Sequence, residues 1–456
     1  MKNLYPSAES KPQLTAFRKH FASMAEFDLV AATSHILYTG LTMSPVKIVK
    51  ALGTYIIDEN GHQILDFTSG QRSSLLGHSH PEIVEVVKNQ IETVDHLHST
   101  MITKPVADLI MRLARLLPSP LEKTLLLNTG SESVEAAVKL AKAYTGKFEV
   151  IALTASYHGQ TCGSAGATYS KYRNTGLPTM PGQMAFPAPY AYGSPFQRNG
   201  AYDWETEFDY GWSMIDRQTV GSLAAFLIEP ILSGGGILEL PKGYLNRLSV
   251  ECKKRGIVLI VDEAQTGIGR AGKMFAFQEE EGFVPDILLL SKTLGCGVPL
   301  AALVTSAEIE KGSRQSVFYW NTTHQNDPLV AAVGNKTLEI VERDRLCENS
   351  AERGAQLAEG LLRLKEKYKG WIGDTRGRGL LQGMELVAKP GAAVAAKDLG
   401  AAVVEKALAS GLSCSVVPSP AQGSVVRLVP PITISKEEME EAIRILDEVL
   451  AAVVPQ

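Results

Sequence analysis

The chain reads as an α/β protein, a mostly parallel sheet buried under helices with a smaller α+β domain behind it, and three observations predict that class. Six short runs rich in Val, Ile and Leu recur at residues 124–127, 150–153, 224–228, 257–261, 286–290 and 300–304; unbroken apolar runs of this length suit strands covered on both faces. Longer segments of helical period separate them, which is the alternation of a sheet wrapped by crossover helices. The 456 residues are 45% hydrophobic and 21% charged, the composition of a globular chain long enough to bury a sizeable core without disulfide or metal staples.

The first 70 residues carry a helical segment and then GTYIIDENGHQILDF, two runs that meet at Glu59-Asn60-Gly61 as a hairpin. This segment is expected to pack on the C-terminal part. Residues 71–330 are expected to form the large domain. Within it, SESVEAAVKLAKAYTG links the first two apolar runs, with Val134, Ala137, Val138 and Ala141 on one face and Gly146 as its stop. That is a βαβ unit. From 331 to 456 the pattern shifts to long amphipathic stretches, GNKTLEIVERDRL and AERGAQLAEGLLRLKEKY. Short strands follow around GLLQGMELV and VVRLVPP, then a closing helix from about Lys436. The small α+β domain is expected there.

Charge and cysteines narrow the setting. Forty-five Lys and Arg against 49 Asp and Glu give a net charge of −4, so no positive excess exists to neutralise nucleic-acid phosphates or an anionic membrane. The five cysteines are scattered, with no CxxC pair, which predicts a reducing, cytoplasmic setting. No apolar stretch approaches the roughly 20 residues of a membrane span, and the start, MKNLYPSAESKPQL, is polar where a signal peptide is apolar.

In an open α/β sheet, ligands bind beyond the carboxyl ends of the strands, and four such ends carry polar residues here. Thr129-Gly130-Ser131 opens a helix, where free N–H groups and two hydroxyls suit a phosphate; the same residues read equally as a capping box from Thr129 to Glu132. Asp262 directly follows a buried run and needs a positive or donating partner, a protonated heterocycle or the next turn's N–H groups. Lys292 ends DILLLSK, where burial and cationic neighbours would leave a nucleophilic amine; alone it reads as an edge lysine. Tyr157 and His158 follow the second run and by themselves read as loop packing. Together the four ends describe one ligand, pyridoxal 5′-phosphate: a phosphate, a stacked ring, a ring nitrogen facing Asp262 and an aldehyde within reach of Lys292.

The order of these parts resembles the class III aminotransferase family of pyridoxal-phosphate enzymes. It runs from GTYIIDENGHQILDFTSG through GHSHPE, LLLNTGSESVEAAVKLA, SYHGQT, FLIEPI, LIVDEAQTGIGR and PDILLLSKTLGCGVPLAA to NTTHQNDP and RGRGLL. The resemblance implies the fold of aspartate aminotransferase, fold type I, with a seven-stranded sheet. Within the family the chain is similar to 2,2-dialkylglycine decarboxylase, through LDFTSGQ, DHLHS, RNGAYD, DRQ, LAAFLIEPILSGGGILELP and TTHQNDP.

That likeness implies decarboxylation of an α,α-disubstituted amino acid, with release of carbon dioxide and a ketone, and amine transfer to an α-keto acid such as pyruvate. Transamination without decarboxylation is the rival reading. Carried over residue by residue, Lys292 binds the cofactor aldehyde, Asp262 holds the ring nitrogen and Gln265 meets the phenolic oxygen. Gln71 sits beside the bond being broken, and Arg427 holds a substrate carboxylate. Thr323 reaches the phosphate of a neighbouring subunit, which implies a homodimer or homotetramer. An alkali ion, K⁺ or Na⁺, is implied at Leu97, Ser99, Thr323, Gln325 and Asp327. Three positions depart from the decarboxylase pattern: Arg72 replaces Met, Gly234 replaces Ser and Tyr157 replaces Trp. Arg72 reads equally as a surface arginine or as an inward cation that recruits a second anionic group. Gly234, where many ω-aminotransferases carry a Glu, leaves Arg427 open to an α-carboxylate.

A different class, a nicotinamide-dependent oxidoreductase, is hinted at by the GxGxxG match from Gly267 to Gly272. DEAQT separates that match from its strand and KMFAFQ opens no clear amphipathic helix, so the required context is missing.

Overall fold

A computed structural model describes residues 27–170, 180–316, 318–388, 396–420 and 423–454. Strand β1 (Ile48–Leu52) leads into the hairpin of β2 (Tyr55–Asp58) and β3 (Gln63–Asp66), paired antiparallel with Tyr55 opposite Leu65. The Asp58 carboxylate holds the turn, accepting from the N–H groups of Asn60 and His62 at 2.9 and 2.8 Å. Gly61 takes φ +84° there, a conformation that other residues adopt only with strain. On its other side β3 pairs in parallel with Leu412–Ser413, so the N-terminal segment is hydrogen-bonded to a strand near the other end of the chain.

Each of the six apolar runs is a strand. The central sheet contains β4 (Lys123–Leu127), β5 (Glu149–Leu153), β6 (Gln183–Phe186), β7 (Leu223–Ile228), β8 (Val258–Asp262), β9 (Ile287–Leu290) and β10 (Ala301–Thr305), in the spatial order β4-β10-β9-β8-β7-β5-β6. Only β10 runs antiparallel to its neighbours, β9 and β4. Because it reverses twice, β4 ends at the same sheet edge as β5, β7, β8 and β9. The seventh strand, β6, left no apolar run to read: its sequence is QMAF and its burial alternates, as befits an edge strand with one covered face.

Helix α1 (Gly130–Thr145) joins β4 to β5, capped by Thr129 at its start and by Gly146 at φ 68° at its end. Helices α2 (Pro328–Arg343) and α3 (Leu346–Lys367) follow the central sheet. Beyond them, β11 (Ile372–Arg378), β12 (Leu381–Leu386), β13 (Ser415–Pro418) and β14 (Ser424–Leu428) form an antiparallel sheet in the order β11-β12-β14-β13. Helices α4 (Ala396–Ala409) and α5 (Lys436–Val453) pack beside it, α5 starting with a capping box of Ser435 and Glu438. One apolar core is continuous from Phe226 and Leu288 in the central sheet to Leu428 and Leu446 near the chain's end.

The Gly267–Gly272 segment forms turns rather than the start of a helix. Its Arg270 is fully buried, donating to the carbonyls of Leu380 and Pro430 and to Ser69 Oγ. The segment is a packing device, and the dinucleotide reading is set aside. No helix among the described residues is long and apolar enough to cross a membrane.

Candidate active site

Four strands deliver their ends to one cavity of about 370 Å³, lined by Thr129, Gly130, Ser131, Tyr157, His158, Asp262 and Lys292 among others. At the β4 end, Thr129 Oγ1 accepts from Glu132 N–H at 3.1 Å. The reciprocal half of a capping box is displaced by one residue, because Glu132 Oε2 accepts instead from Asn128 N–H at 2.9 Å. At the β5 end, Gly159 has φ +138°, and a Cβ there would overlap Ser131 Oγ. Glycine is what lets this loop close over the helix start.

At the β8 end, Asp262 is buried. Its Oδ2 lies 2.8 Å from His158 Nδ1, and its Oδ1 accepts from Ala264 N–H at 3.0 Å. At the β9 end, burial holds the Lys292 ammonium below the ordinary lysine range. The guanidinium groups of Arg72 and Arg427 push the same way, and Asp262 and Glu229 oppose them. Among the described residues, the buried atoms His158 Nε2, Gln265 Oε1 and Ser291 Oγ have no hydrogen-bond partner within the chain. Buried polar groups are normally paired. Two of these atoms belong to residues beside Lys292 and Asp262, so the donor set fits a polar, phosphorylated heterocycle.

A second cavity, of about 650 Å³, shares Tyr157 and Lys292 with the first and is lined also by Gln71, Arg72, Gly234, Gln265 and Arg427. Arg72 is therefore inward: it is buried, and its Nη2 donates to Gln71 Oε1 at 2.7 Å. The turn that carries it is left-handed, with φ of 39°, 53°, 65° and 69° at Ser69, Gly70, Gln71 and Arg72. Non-glycine residues pay about 1–2 kcal/mol each for that conformation. The surroundings hold it in place. Ser69 Oγ donates to Val429 O at 2.6 Å, Gly70 N–H to Asp66 Oδ2 at 3.1 Å and Arg72 N–H to Thr68 O at 2.8 Å. Across the cavity wall, Arg427 is buried in β14 and its Nη1 donates to Ser233 O at 3.4 Å.

Glu229, at the β7 end in FLIEPI, is a buried carboxyl that sequence reasoning left without a role. It accepts from Tyr157 N–H at 2.9 Å. Burial pushes its pKa up to about 7, with the His158 and Lys292 charges opposing and that of Asp262 adding. The signal that could have found it is the one used for Asp262, a carboxylate directly after a fully buried run.

Gly234 is sterically required. A Cβ there would stand 2.6 Å from Tyr157 Cβ, so any side chain displaces the aromatic ring shared by both cavities. Gly234→Ala is expected to lower kcat/KM about 10-fold or more, the cost of a misplaced contact, with the thermal midpoint of unfolding read in parallel to separate this from global destabilisation.

Thr323 is exposed and lines neither cavity. Of the residues expected around an alkali ion, Asp327 and Ser99 make contacts with other side chains. Asp327 Oδ1 lies 3.3 Å from His96 Nδ1, and its Oδ2 lies 2.6 Å from His324 Nδ1. Ser99 Oγ donates to Asn321 Oδ1 at 3.3 Å. Leu97 and Gln325 are part-buried in the adjoining loops.

Residues 38–450 match the family described as aminotransferase class-III. An uncharacterized aminotransferase of Schizosaccharomyces pombe is 46% identical over 420 residues, covering 92% of this chain and 93% of its own. A diaminobutyrate–2-oxoglutarate aminotransferase of Rhizobium meliloti is 32% identical, over 87% and 86% of the two chains. The solved structure of a taurine:2-oxoglutarate aminotransferase of Bifidobacterium kashiwanohense, in complex with pyridoxal phosphate and glutamate, superposes with a TM-score of 0.84. It is 27% identical over 92% of this chain and 96% of that one.

These relatives correct the expectation of a 2,2-dialkylglycine decarboxylase: they transfer amines, and decarboxylation finds no support among them. The geometry supplies a physical reason. The Gln71 side-chain carbonyl, expected beside a breaking carbon–carboxylate bond, is bonded to the guanidinium that replaces the decarboxylase pattern's Met.

Proposed function

The chain belongs to the class-III aminotransferase family, whose cofactor is pyridoxal 5′-phosphate, and from that premise we propose that it moves an amino group from an amino acid to an α-keto acid in two half-reactions at one site. The observation that carries this reading is the position of Lys292, half-buried on the wall common to the two cavities, with its ammonium held below the ordinary lysine range. When bound, pyridoxal phosphate supplies an aldehyde for the amine and a ring that draws electrons from the substrate's Cα.

This chain's residues then divide the work. Thr129, Gly130 and Ser131 hold the phosphate at the positive end of α1. Tyr157 would stack on the ring, and the side-chain amide of Gln265 would donate to the phenolic oxygen. His158 orients Asp262, whose charge favours a protonated ring nitrogen. Lys292 would hold the aldehyde and, once the substrate amine takes that place, its free amine would carry the proton to and from the substrate's Cα. Arg427 holds the α-carboxylate by a forked pair of hydrogen bonds, unobstructed because position 234 has no side chain.

Thr323, exposed on this chain, reaches the phosphate of a second copy, which makes the working unit a homodimer or a pair of dimers. This reading of the reaction uses no alkali ion.

The test is amine transfer itself. Purified protein loaded with pyridoxal phosphate is offered a panel of amino donors without an acceptor, and conversion of the cofactor to its amine form is followed by absorbance. Adding an α-keto acid must then reverse the change and yield the matching amino acid. A loaded protein that converts with no donor in the panel would overturn the proposal.

A further inference from the structure

Two loops far apart in the chain meet outside the cofactor cavity. One, residues 94–103, joins the helices Pro81–Thr93 and Lys104–Leu116; the other, residues 320–327, leads into α2. They bring together His96, His324 and Asp327, whose ligand-capable atoms all lie within 4.8 Å of one another. His96 Nδ1 is 3.3 Å from Asp327 Oδ1, His324 Nδ1 is 2.6 Å from Asp327 Oδ2, and the two imidazole centroids are 4.6 Å apart.

A second feature of Asp327 points the same way. It is the N-cap residue of α2, where an aspartate ordinarily accepts from N–H groups of the first turn, yet its side chain makes no capping bond. Both of its oxygens turn to the histidines instead. The carboxylate is buried, and among the described residues no lysine or arginine pairs with it. A buried carboxylate needs a positive partner, and an imidazole is positive only when protonated. A cation shared between the carboxylate and two neutral imidazoles meets that need. Both histidines reach solvent, which leaves an entry path and space for water at the remaining coordination positions.

We propose that His96, His324 and Asp327 bind a divalent transition-metal ion of the zinc type, which clasps loop 94–103 to the loop before α2. The donors set the class: two imidazole nitrogens and one carboxylate oxygen suit Zn²⁺, Co²⁺ or Ni²⁺, whereas hard cations take oxygen donors. The site therefore differs in donors and in ion from the alkali set expected around Leu97, Ser99, Thr323 and Gln325, with which it shares only Asp327. Ligand atoms on one such ion stand roughly 3–3.5 Å apart, so binding draws the exposed imidazoles inward by side-chain rotation. The clasped loop also carries Thr322, whose Oγ1 donates to Glu132 Oε1 at 3.0 Å. Through that contact the ion ties loop 94–103 to the start of α1.

The experiment titrates Zn²⁺ into protein that carries no histidine tag, loaded with pyridoxal phosphate and freed of metal by a chelator that is then removed. Calorimetry is expected to show one ion bound per chain. Zn²⁺ at about 100 times its Kd is expected to raise the thermal midpoint by about 2–3 °C, as binding to the native state alone requires. His96→Ala and His324→Ala each weaken binding by at least about 10–100-fold, the loss seen for partners one shell further from a metal, and Asp327→Asn does the same. His98 turns its Nδ1 to Thr100 Oγ1 at 2.9 Å, and His98→Ala binds as wild type does. Cofactor absorbance and a wild-type melt in chelator show that each variant is folded and loaded.

A wild type that takes up no Zn²⁺, Co²⁺ or Ni²⁺ in stoichiometric amount overturns the proposal, as does a variant lacking both His96 and His324 that binds as tightly as wild type. Binding that excess K⁺ abolishes and that survives loss of both histidines marks an oxygen site for a hard ion, and overturns it too. None of these readouts involves amine transfer, so they stand apart from the aminotransferase reading.

Discussion

Lys292→Ala is expected to lower amine transfer by about 10⁴-fold or more, at the upper end of what a positioned general acid–base group supplies, and to abolish the visible absorbance of the lysine-bound cofactor. The expectation follows from its place at the end of β9, on the wall common to both cavities. Burial, with Arg72 and Arg427 nearby, disfavours the ammonium form, so the free amine is available at a lower pH than for a surface lysine. The sign can be checked. Removing a neighbouring cation stabilises the ammonium, so Arg72→Met must move the pH midpoint for cofactor uptake by the free protein upward. A midpoint that falls, or an alanine variant that keeps a tenth of wild-type turnover, would show that Lys292 has been given the wrong role. Lys292→Arg keeps the charge but offers no amine that loses its proton near neutrality, and is expected to fail as the alanine variant does.

Asp262→Asn is the second large effect. Asparagine preserves the shape and its one carbonyl oxygen can still accept from Ala264 N–H, while its NH2 would face His158 Nδ1 and donate to it once the imidazole changes tautomer; what it loses is the negative charge and one acceptor. A fall of about 10²–10³-fold in kcat is expected, the scale for removing one preorganised electrostatic group from a water-poor site, with a much smaller change in the thermal midpoint. Kinetics and thermal melts of the Asn variant separate the two. If the melt collapses and kcat per folded molecule holds, Asp262 is a structural cap for the turn at Ala264 and its charge has no part in the chemistry.

The fold class was legible because a sheet covered on both faces demands unbroken apolar strands, and six such runs stand in the chain at the positions where strands occur. The edge strand β6 was not legible, since one open face removes the need for an apolar run. The cofactor cavity was legible for a related reason. In a sheet whose strand ends meet at one edge, whatever follows each buried run converges, and Asn128–Ser131, Tyr157, Asp262 and Lys292 all do. Glu229 obeys the same rule and went unassigned because it had no place in the ligand the other four described. The reaction type was read wrongly. Gln71 was judged by its position in LDFTSGQ, and the hydrogen bond from Arg72 that changes what Gln71 can do is not visible in any spacing.

By itself, then, the amino-acid sequence determined the strand runs, the residues at their ends and hence the cofactor, because burial and alternation are local demands that each segment must satisfy alone. Only the tertiary structure decided which way Arg72 faces, that Gln71 is bonded to it, that Tyr157 leaves no space for a side chain at position 234, and that a cavity with two guanidinium groups opens beside the lysine. Those are properties of residues brought together from positions as far apart as 72 and 427. A left-handed turn strained enough to aim a side chain exists only because distant parts of the chain hold it.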